Sequence, residues 1–550
     1  MPRVRTVVLA AAVGVTVFLG FRLFLFTTDD AYIAFRYVSN HMLGRGFVWN
    51  PPPFLPVEGY TSWLWVALLR LVWGLTGVEP PDAANDLSLV FGYATLFVVY
   101  RLVCRIGLPA RLERIRFSLL TLVLLGTVTN RTFLTWLSSG LETSLFNFCL
   151  VLWVEQALTP RENRGAAWVF RVCLAAMFAA LARPDGMIAV LGTGALLAEW
   201  TLSDRHALSE RLRALGWAFP LLGVAVHLAW RRWYYSAWLP NTYYAKYTTA
   251  WPESGWRYAA SFVLEYALWI WLLLALVWAV RRHDVSRPAL IVIAALLAHV
   301  AFYTLMIGGD HFEYRVYSHL IPLFFVSFLW LAARLDLRPP AAVSLFLLFI
   351  ASSWPLPWAH YLETRDLESR AETFHMIRPV AGRFPAWLRF YPQAFDELQA
   401  WLITHSVCVR HQEHKVYSTF VGSRLPSREE GAALGWEDRH VMTAVNVGLV
   451  GWVFPNVAVI DLLGLNDYVI ARTRVPPQET RHMAHERRPP PGYIECFRPD
   501  FEMVLNFPNP PEVRRTGGRD GSGLTDQEIV HCEERFRAEL NTGDRGSRVY

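Results

Sequence analysis

Two adjacent carboxylates, Asp29 and Asp30, directly follow the first apolar segment of the chain. An acidic pair at the mouth of a membrane helix is unfavourable near lipid, so we expect it to serve a reaction, a cation or a water-filled site. The stretch that the pair opens, residues 27–61, also contains several aromatic residues, three consecutive prolines and, near its end, Glu58 and Tyr60. A carboxylate in such a place can take a proton from a hydroxyl group, and Glu58 and Tyr60 can bind the hydroxyls of a ligand.

The two carboxylates cannot share one role. At a helix start, neighbouring side chains diverge by about 100 degrees, so only one of them faces a reactant. We take Asp29 as the general base and Asp30 as the residue that orients the site. The structural alternative for one of them is to cap the helix that begins at Ala31, and for Glu58 it is to lie as a cap near a helix N-terminus.

Later polar clusters supply further binding residues. Arg315 can contact a phosphate through two parallel hydrogen bonds, and Lys246 can do so as a point charge. The structural alternative for Glu142 is an ion pair with Arg131 or Arg183. Arg183 itself is typical of a residue that stabilises a turn. The remaining substrate-binding candidates are Asn241, Tyr244, Asp310 and His311.

The pattern of cysteines and histidines does not predict a metal centre. No Cys-x-x-Cys spacing occurs, so we expect no zinc site. We also expect no required cofactor; a divalent cation held by Asp310 and His311 with an aspartate of the first loop is the alternative. The histidines of residues 408–414 and 482–485 are interpreted as solvated surface groups. One disulfide is expected among the last three cysteines, which are Cys408, Cys496 and Cys532.

The composition of the chain indicates which class of structure positions these residues. Of 550 residues, 54% are hydrophobic and only 18% are charged, with 24 tryptophans. These values indicate a polytopic α-helical membrane protein rather than a soluble one. The net charge of +6 is modest and does not indicate nucleic-acid binding.

The basic loops predict the topology. About twelve apolar runs are candidate spans, and all basic loops face the cytoplasm at once if residues 62–78 lie in the membrane interface instead of crossing it. We therefore predict about eleven spans, an uncleaved first helix, a cytoplasmic N-terminus and an outer C-terminus. Residues 1–356 form the membrane domain, with 27–61 as its catalytic outer loop. Residues 357–550, which have no span-length apolar run, form a mixed α/β domain outside.

Several motifs occur in one order along the chain: DDAYIAFRY, GRGFVWN, EGYTS, SGLET, ARPDG, LPNTYYAK and GGDHFEYR. As a set, they resemble the membrane glycosyltransferases of the GT-C superfamily over about residues 1–335. They are most similar to the branch of the mycobacterial terminal arabinofuranosyltransferases. The segments VIDLLGLNDYVIAR and HMAHERRPP also resemble the outer domain of that branch.

The resemblance implies a function. It implies an inverting glycosyltransferase of the bacterial cytoplasmic membrane. This enzyme takes a sugar, here expected to be arabinofuranose, from a polyprenyl-phosphate donor. The acceptor is an envelope glycan or glycoprotein outside the membrane. A hexose transferase of mannose type is the alternative within the superfamily. A transporter or flippase of lipid-linked sugars is the alternative from another class, although its charges would lie near the bilayer midplane. A scaffold for envelope assembly is the third alternative.

Overall fold

The computed structural model describes residues 3–203, 208–281, 285–435, 439–475, 480–504, 512–517 and 524–543. Most of the chain up to residue 352 is helical. Its α-helices are Arg3–Leu23, Asp29–Met42, Trp63–Thr76, Pro80–Arg105, Ala110–Glu113, Arg116–Val128, Arg131–Thr135, Thr143–Ala157, Ala166–Ala182, Met187–Ser203, Leu208–Leu215, Leu222–Tyr234, Asn241–Lys246, Pro252–Glu265, Trp269–Val280, Arg287–Ala301, Leu320–Arg334 and Pro339–Ser352.

Several of these helices are long and apolar enough to cross a bilayer. Within the described ranges there are six, or seven if the pair Pro252–Glu265 and Trp269–Val280, bent by 96°, is one span. Shorter apolar helices, among them Trp63–Thr76, lie beside them. The membrane class is thus confirmed, whereas the count of about eleven spans and the interfacial position of 62–78 stay predictions. The six are Val4–Leu23, Pro80–Arg105, Leu208–Tyr234, Arg287–Ile307, Arg315–Arg334 and Pro339–Thr364.

Residues 357–550, called the C-terminal region below, contain a small mixed sheet. Strands β1 (Val441–Ala444) and β2 (Ala458–Asp461) pair in parallel, β1 and β3 (Phe501–Val504) also pair in parallel, and β4 (Glu512–Arg515) is antiparallel to β3. The order β2-β1-β3-β4 places the two fully buried strands side by side. The helices from residue 355 onward are Pro355–Thr364, Arg370–Thr373, Phe390–Thr404, His411–Gly422, Arg428–Ala432, Gly448–Val453, Tyr493–Phe497 and Asp526–Gly543.

Two local expectations for this region have different outcomes. The segment NVAVIDLLG contains β2, as its apolar run predicts. The segment HKVYSTFVG is not a strand but part of the helix His411–Gly422, whose buried residues repeat at helical spacing. A disulfide joins Cys496 to Cys532 and ties the last helix to the helix Tyr493–Phe497.

The first loop, residues 27–61, is one of the contacts between the membrane helices and the C-terminal region. Its helix Asp29–Met42 packs against Trp63–Thr76 and Pro80–Arg105 on one side and against Gly448–Val453 on the other. Most of its side chains are therefore buried. The acidic pair stands at the first turn of this enclosed helix.

Candidate active site

The backbone before the acidic pair is fixed by the SGLET motif. The Thr28 amide donates to the Ser139 carbonyl (3.0 Å), and the Ser139 amide donates to the Phe26 carbonyl (2.9 Å). Ser139 and Gly140 both have left-handed backbones, with φ of 86° and 74°. A Cβ atom on Gly140 would lie 2.8 Å from that of Ala31. The turn therefore requires glycine where it supports the start of the Asp29–Met42 helix.

Asp29 is held by the C-terminal region. Its carboxylate accepts hydrogen bonds from the backbone amides of Gly448 (3.2 Å) and Leu449 (2.9 Å). Burial raises the pKa of Asp29 to about 6, although these two amides act in the opposite direction. Only 6% of the residue is exposed. Asp29 thus caps the N-terminus of the helix Gly448–Val453, whose chain position the sequence did not indicate.

Asp30 is in a different position, at the junction of two cavities. Asp30, Lys246 and His311 line both a cavity of about 420 Å³ and a second one of about 390 Å³. Both Asp30 and Lys246 are partly buried, and neither has a hydrogen-bond or ion-pair partner among the described residues. The junction therefore presents one uncompensated carboxylate and one uncompensated ammonium group.

The 390 Å³ space, called the charged cavity here, is lined by ion pairs and by apolar residues. Arg183 contacts Glu142 (2.8 Å) and Asp185 (3.0 Å). Arg315 makes two hydrogen bonds to Asp310, of 2.8 and 3.0 Å. A third pair in the lining joins Arg481 to Glu486 (2.9 Å). Its apolar lining includes Leu239, Tyr243, Trp251, Phe302 and Ile307.

The 420 Å³ space, called the histidine cavity, lies between the first loop and the C-terminal region. The Nδ1–H groups of His311 and His485 donate to the carbonyls of Ser406 (2.7 Å) and Met483 (2.6 Å). Burial lowers the pKa of His311 to about 4 and holds that of His414 well below its usual range. These rings are therefore neutral at pH 7. The five lining histidines are His311, His375, His414, His482 and His485.

The residues of the GGDHFEYR motif have three different roles. Asp310 neutralises Arg315, and His311 lines both cavities. Glu313 is fully buried and contacts Arg131 (3.2 Å) and Arg410 (3.4 Å). Glu313 therefore connects the C-terminal region to the membrane helices, and the motif as a whole positions the junction.

Some predicted binding residues are structural in this conformation. Glu58 makes a buried two-point ion pair with Arg231 (2.6 and 3.2 Å), and burial raises its pKa to about 7. Glu58 is therefore not a helix cap. The Asn241 amide group donates to the carbonyls of Gly464 (2.8 Å), Leu465 and Asp467. Neither Glu58 nor Asn241 lines either of the two cavities.

The two predicted tyrosines also differ. Tyr60 lines the charged cavity and places its hydroxyl 3.2 Å from that of Tyr235. Tyr244 lies with its ring 3.9 Å from the guanidinium of Arg472 and outside both cavities. Tyr60 thus remains accessible to a ligand, whereas Tyr244 stabilises the contact with the C-terminal region.

His411 and His414 are buried, so the interpretation as solvated surface groups is wrong for them, whereas His482 and His485 are partly buried. His411 is 2% and His414 8% exposed. Their spacing of three residues places both on one face of a helix, which is the signal that could have revealed a shared environment. Among the described residues, no group of three or more His, Cys, Asp or Glu side chains could hold a metal ion.

Part of this chain is similar in sequence to a known transferase. No family model matches the sequence. The chain is 30% identical over 339 residues to a terminal β-(1→2)-arabinofuranosyltransferase of Corynebacterium glutamicum. That match covers 54% of this chain and 46% of the relative, so the chain matches less than half of the relative's length.

Solved structures share the architecture at low sequence identity. ArnT from Cupriavidus metallidurans in the apo state superposes with a TM-score of 0.51 at 14% identity, covering 87% of this chain and 90% of ArnT. ArnT bound to undecaprenyl phosphate gives a TM-score of 0.48 at 12% identity, covering 84% and 86%. The likeness to a terminal arabinofuranosyltransferase that the motifs predict is thus found over 54% of this chain, and the superposition on apo ArnT shows a shared fold.

Proposed function

We propose that this chain, a membrane protein of the GT-C fold, transfers a sugar from a polyprenyl-phosphate donor to a hydroxyl group of an envelope glycan or glycoprotein. The observation that carries the proposal is the pair Asp30 and Lys246 at the junction of the two cavities. A sugar transfer of this kind needs one group that accepts a proton and one that stabilises a departing phosphate.

The charged cavity suits the donor. Its apolar lining is compatible with a lipid tail, and its ion pairs leave Lys246 as the described cation without a carboxylate partner. An ammonium group in that position attracts a phosphate more strongly than an arginine already neutralised by Asp310. We therefore assign the donor phosphate to Lys246, with Tyr60 beside it.

The histidine cavity suits the acceptor. Neutral imidazoles each offer one hydrogen-bond donor and one acceptor, and hydroxyl groups need both. The cavity also contains aromatic residues, Phe374, Tyr417 and Phe420, against which a sugar ring can pack.

The reaction then follows from the position of Asp30. Its carboxylate takes the proton of the acceptor hydroxyl, and the acceptor oxygen forms a bond to the anomeric carbon of the donor. The bond from that carbon to the phosphate oxygen breaks, and its electron pair leaves with the phosphate beside Lys246. Attack from the side opposite the phosphate inverts the anomeric centre. Asp29 positions the helix that carries Asp30, which reverses the roles predicted from the sequence.

The sugar and the location are part of the same proposal. Arabinofuranose is supported by the sequence resemblance to the corynebacterial transferase, and a hexose is the alternative. We propose a bacterial cytoplasmic membrane protein with its N-terminus inside and the C-terminal region outside, because the basic loops then face the cytoplasm.

A reconstituted assay tests the function. The purified chain in liposomes is given radiolabelled decaprenyl-phosphate arabinofuranose and a synthetic oligosaccharide acceptor. We expect labelled oligosaccharide from the wild type and none from Asp30→Asn. A parallel sample with decaprenyl-phosphate mannose shows whether the enzyme transfers mannose instead of arabinofuranose. Movement of labelled lipid across the bilayer without transfer would instead identify a flippase.

A further inference from the structure

Two large aromatic side chains are exposed on a short segment of the C-terminal region, residues 384–391 (FPAWLRFY). Trp387 is 77% and Phe390 68% exposed. They lie where the short helix Ala386–Leu388 meets the start of Phe390–Thr404. Exposed tryptophan and phenylalanine close together usually mark an interaction surface.

Contacts with two membrane helices place this segment at the bilayer surface. The Tyr391 hydroxyl donates to the Leu264 carbonyl (2.5 Å), and Trp269 Nε1 donates to the Tyr391 hydroxyl (3.2 Å). Leu264 and Trp269 stand on either side of the 96° bend, where the helix turns into the apolar segment Trp269–Val280. Tyr391 therefore lies at the bend that precedes the apolar segment Trp269–Val280.

A second candidate span ends beside the same segment. Phe384 and Tyr391 pack in a cluster with Ala359, which lies near the end of the candidate span Pro339–Thr364. The 384–391 segment is thus held between the ends of two membrane helices. Its exposed aromatic residues continue the membrane surface of those helices.

The charge of the segment fits a lipid headgroup layer. It contains no acidic residue, and its one cation is Arg389. The Arg389 Nε group donates to the Phe384 carbonyl (3.0 Å), and the exposed guanidinium makes no ion pair with a described carboxylate. Tryptophan, phenylalanine and arginine in this arrangement are typical of segments that lie in the membrane interface.

We infer that residues 384–391 are an interfacial membrane anchor, with Trp387 and Phe390 inserted among the lipids and Arg389 at the level of the phosphates. The anchor holds the C-terminal region against the bilayer next to Trp269. This inference depends on the membrane fold alone and not on the proposed enzymatic activity.

Spin-label accessibility in lipid nanodiscs tests the anchor. Cys104, the exposed free cysteine, is first changed to serine. Nitroxides are then attached to Trp387→Cys or Phe390→Cys, with Arg514→Cys on the exposed strand β4 as the matched control. We expect the first two labels to be several-fold more accessible to oxygen than to a water-soluble nickel complex, and the control to show the reverse.

Two results would overturn the inference. Nickel accessibility at residue 387 equal to that of the control would show that the segment is in water. Shielding from both reagents would show a protein partner instead of lipid. If the cysteine variants fold poorly, hydroxyl-radical footprinting of the wild-type chain decides the question. Trp387 should be protected in nanodiscs, while Phe374, which is 45% exposed and lines the histidine cavity, is oxidised.

Discussion

Asp29 and Arg36 hold the two ends of the same short helix. Asp29 accepts the amides of Gly448 and Leu449 at the start of Gly448–Val453. Arg36, two turns further along its own helix, donates to the carbonyls of Gly451 (2.6 Å) and of the C-cap residue Phe454 (3.1 Å) at the other end. Burial lowers the pKa of Arg36 to about 9, so it stays charged at neutral pH. Opposite charges at opposite ends match the helix dipole.

Because Asp29 and Asp30 have different surroundings, substituting each of them should have a different effect. We expect Asp30→Asn to reduce sugar transfer by a factor of about 10² to 10⁴, because an amide cannot accept the acceptor proton. Asp29→Asn should instead lower the free energy of unfolding by about 1–3 kcal/mol, because an amide has a single acceptor oxygen and leaves one of the backbone amides of Gly448 and Leu449 unpaired. Initial rates and thermal unfolding of both variants distinguish these outcomes. A stable but inactive Asp29→Asn with an active Asp30→Asn would restore the roles predicted from the sequence.

The close approach of the helices Asp29–Met42 and Gly448–Val453 gives a second prediction. A Cβ atom on Gly448 would lie 1.8 Å from the Asp29 carbonyl oxygen, which cannot move independently of its helix. We expect Gly448→Ala to lower the midpoint of thermal unfolding by several degrees and to reduce transfer. Gly382→Ala is the matched control, because a Cβ atom there has no neighbour within 4 Å. Equal stability of the two variants would contradict the packing described here.

Lys246 can be tested chemically because it is one of two lysines in the chain, the other being the exposed Lys415. Lys246→Ala should raise the KM for the donor by roughly 10- to 100-fold, the range for a lost charged hydrogen bond. In a Lys415→Arg background, a lysine-specific acylating reagent should inactivate the enzyme, and polyprenyl phosphate should protect it. Full activity after stoichiometric acylation would remove Lys246 from the phosphate site.

Arg315 is expected to act through its partner. Because its guanidinium makes two bonds to Asp310, Arg315→Ala leaves a partly buried carboxylate unpaired and should destabilise the protein by about 1–3 kcal/mol. The double variant Asp310→Asn/Arg315→Gln removes both charges and should recover most of this loss. Chemical denaturation of the three proteins measures the effect. A stable Arg315→Ala with a raised KM for the donor would make Arg315 a direct phosphate ligand.

Glu533 gives a pH-dependent prediction. Its carboxylate accepts the Leu55 amide (2.7 Å), and burial raises its pKa to about 7. An unfolded glutamate titrates near 4.5, so between about pH 4.5 and 7 the unfolded chain binds fewer protons and stability falls as pH rises. We expect Glu533→Gln to be more stable than the wild type at pH 8, by up to about 3 kcal/mol, and equal to it at pH 4. Thermal unfolding at the two pH values measures this; a pH-independent difference would contradict the raised pKa.

Local sequence signals were sufficient for the class of protein, and they indicated a segment that lines a cavity. Apolar runs indicated the membrane fold, and the acidic pair does lie at a cavity. They could not decide between Asp29 and Asp30, because that choice depends on Leu449, 420 residues away. For the same reason the partner of Glu58, which is Arg231, 173 residues away, was not predicted.

The histidines show a second limit. Two histidines three residues apart, such as His411 and His414, are usually exposed in a charged segment. Here the C-terminal region folds over the first loop and removes both from water, a tertiary effect that composition does not contain. The disulfide was expected, but its pairing of Cys496 with Cys532 required the structure.

The contact between the first loop and the C-terminal region also implies an order of events during synthesis. Leu55 is synthesised 478 residues before Glu533, its hydrogen-bond partner. At about 5–20 residues per second, translation separates them by roughly 25–95 seconds. During that interval the first loop has already left the ribosome without its partners from the C-terminal region. A nascent chain therefore carries both aspartates before the C-terminal residues that line the two cavities, up to Arg488, have been made.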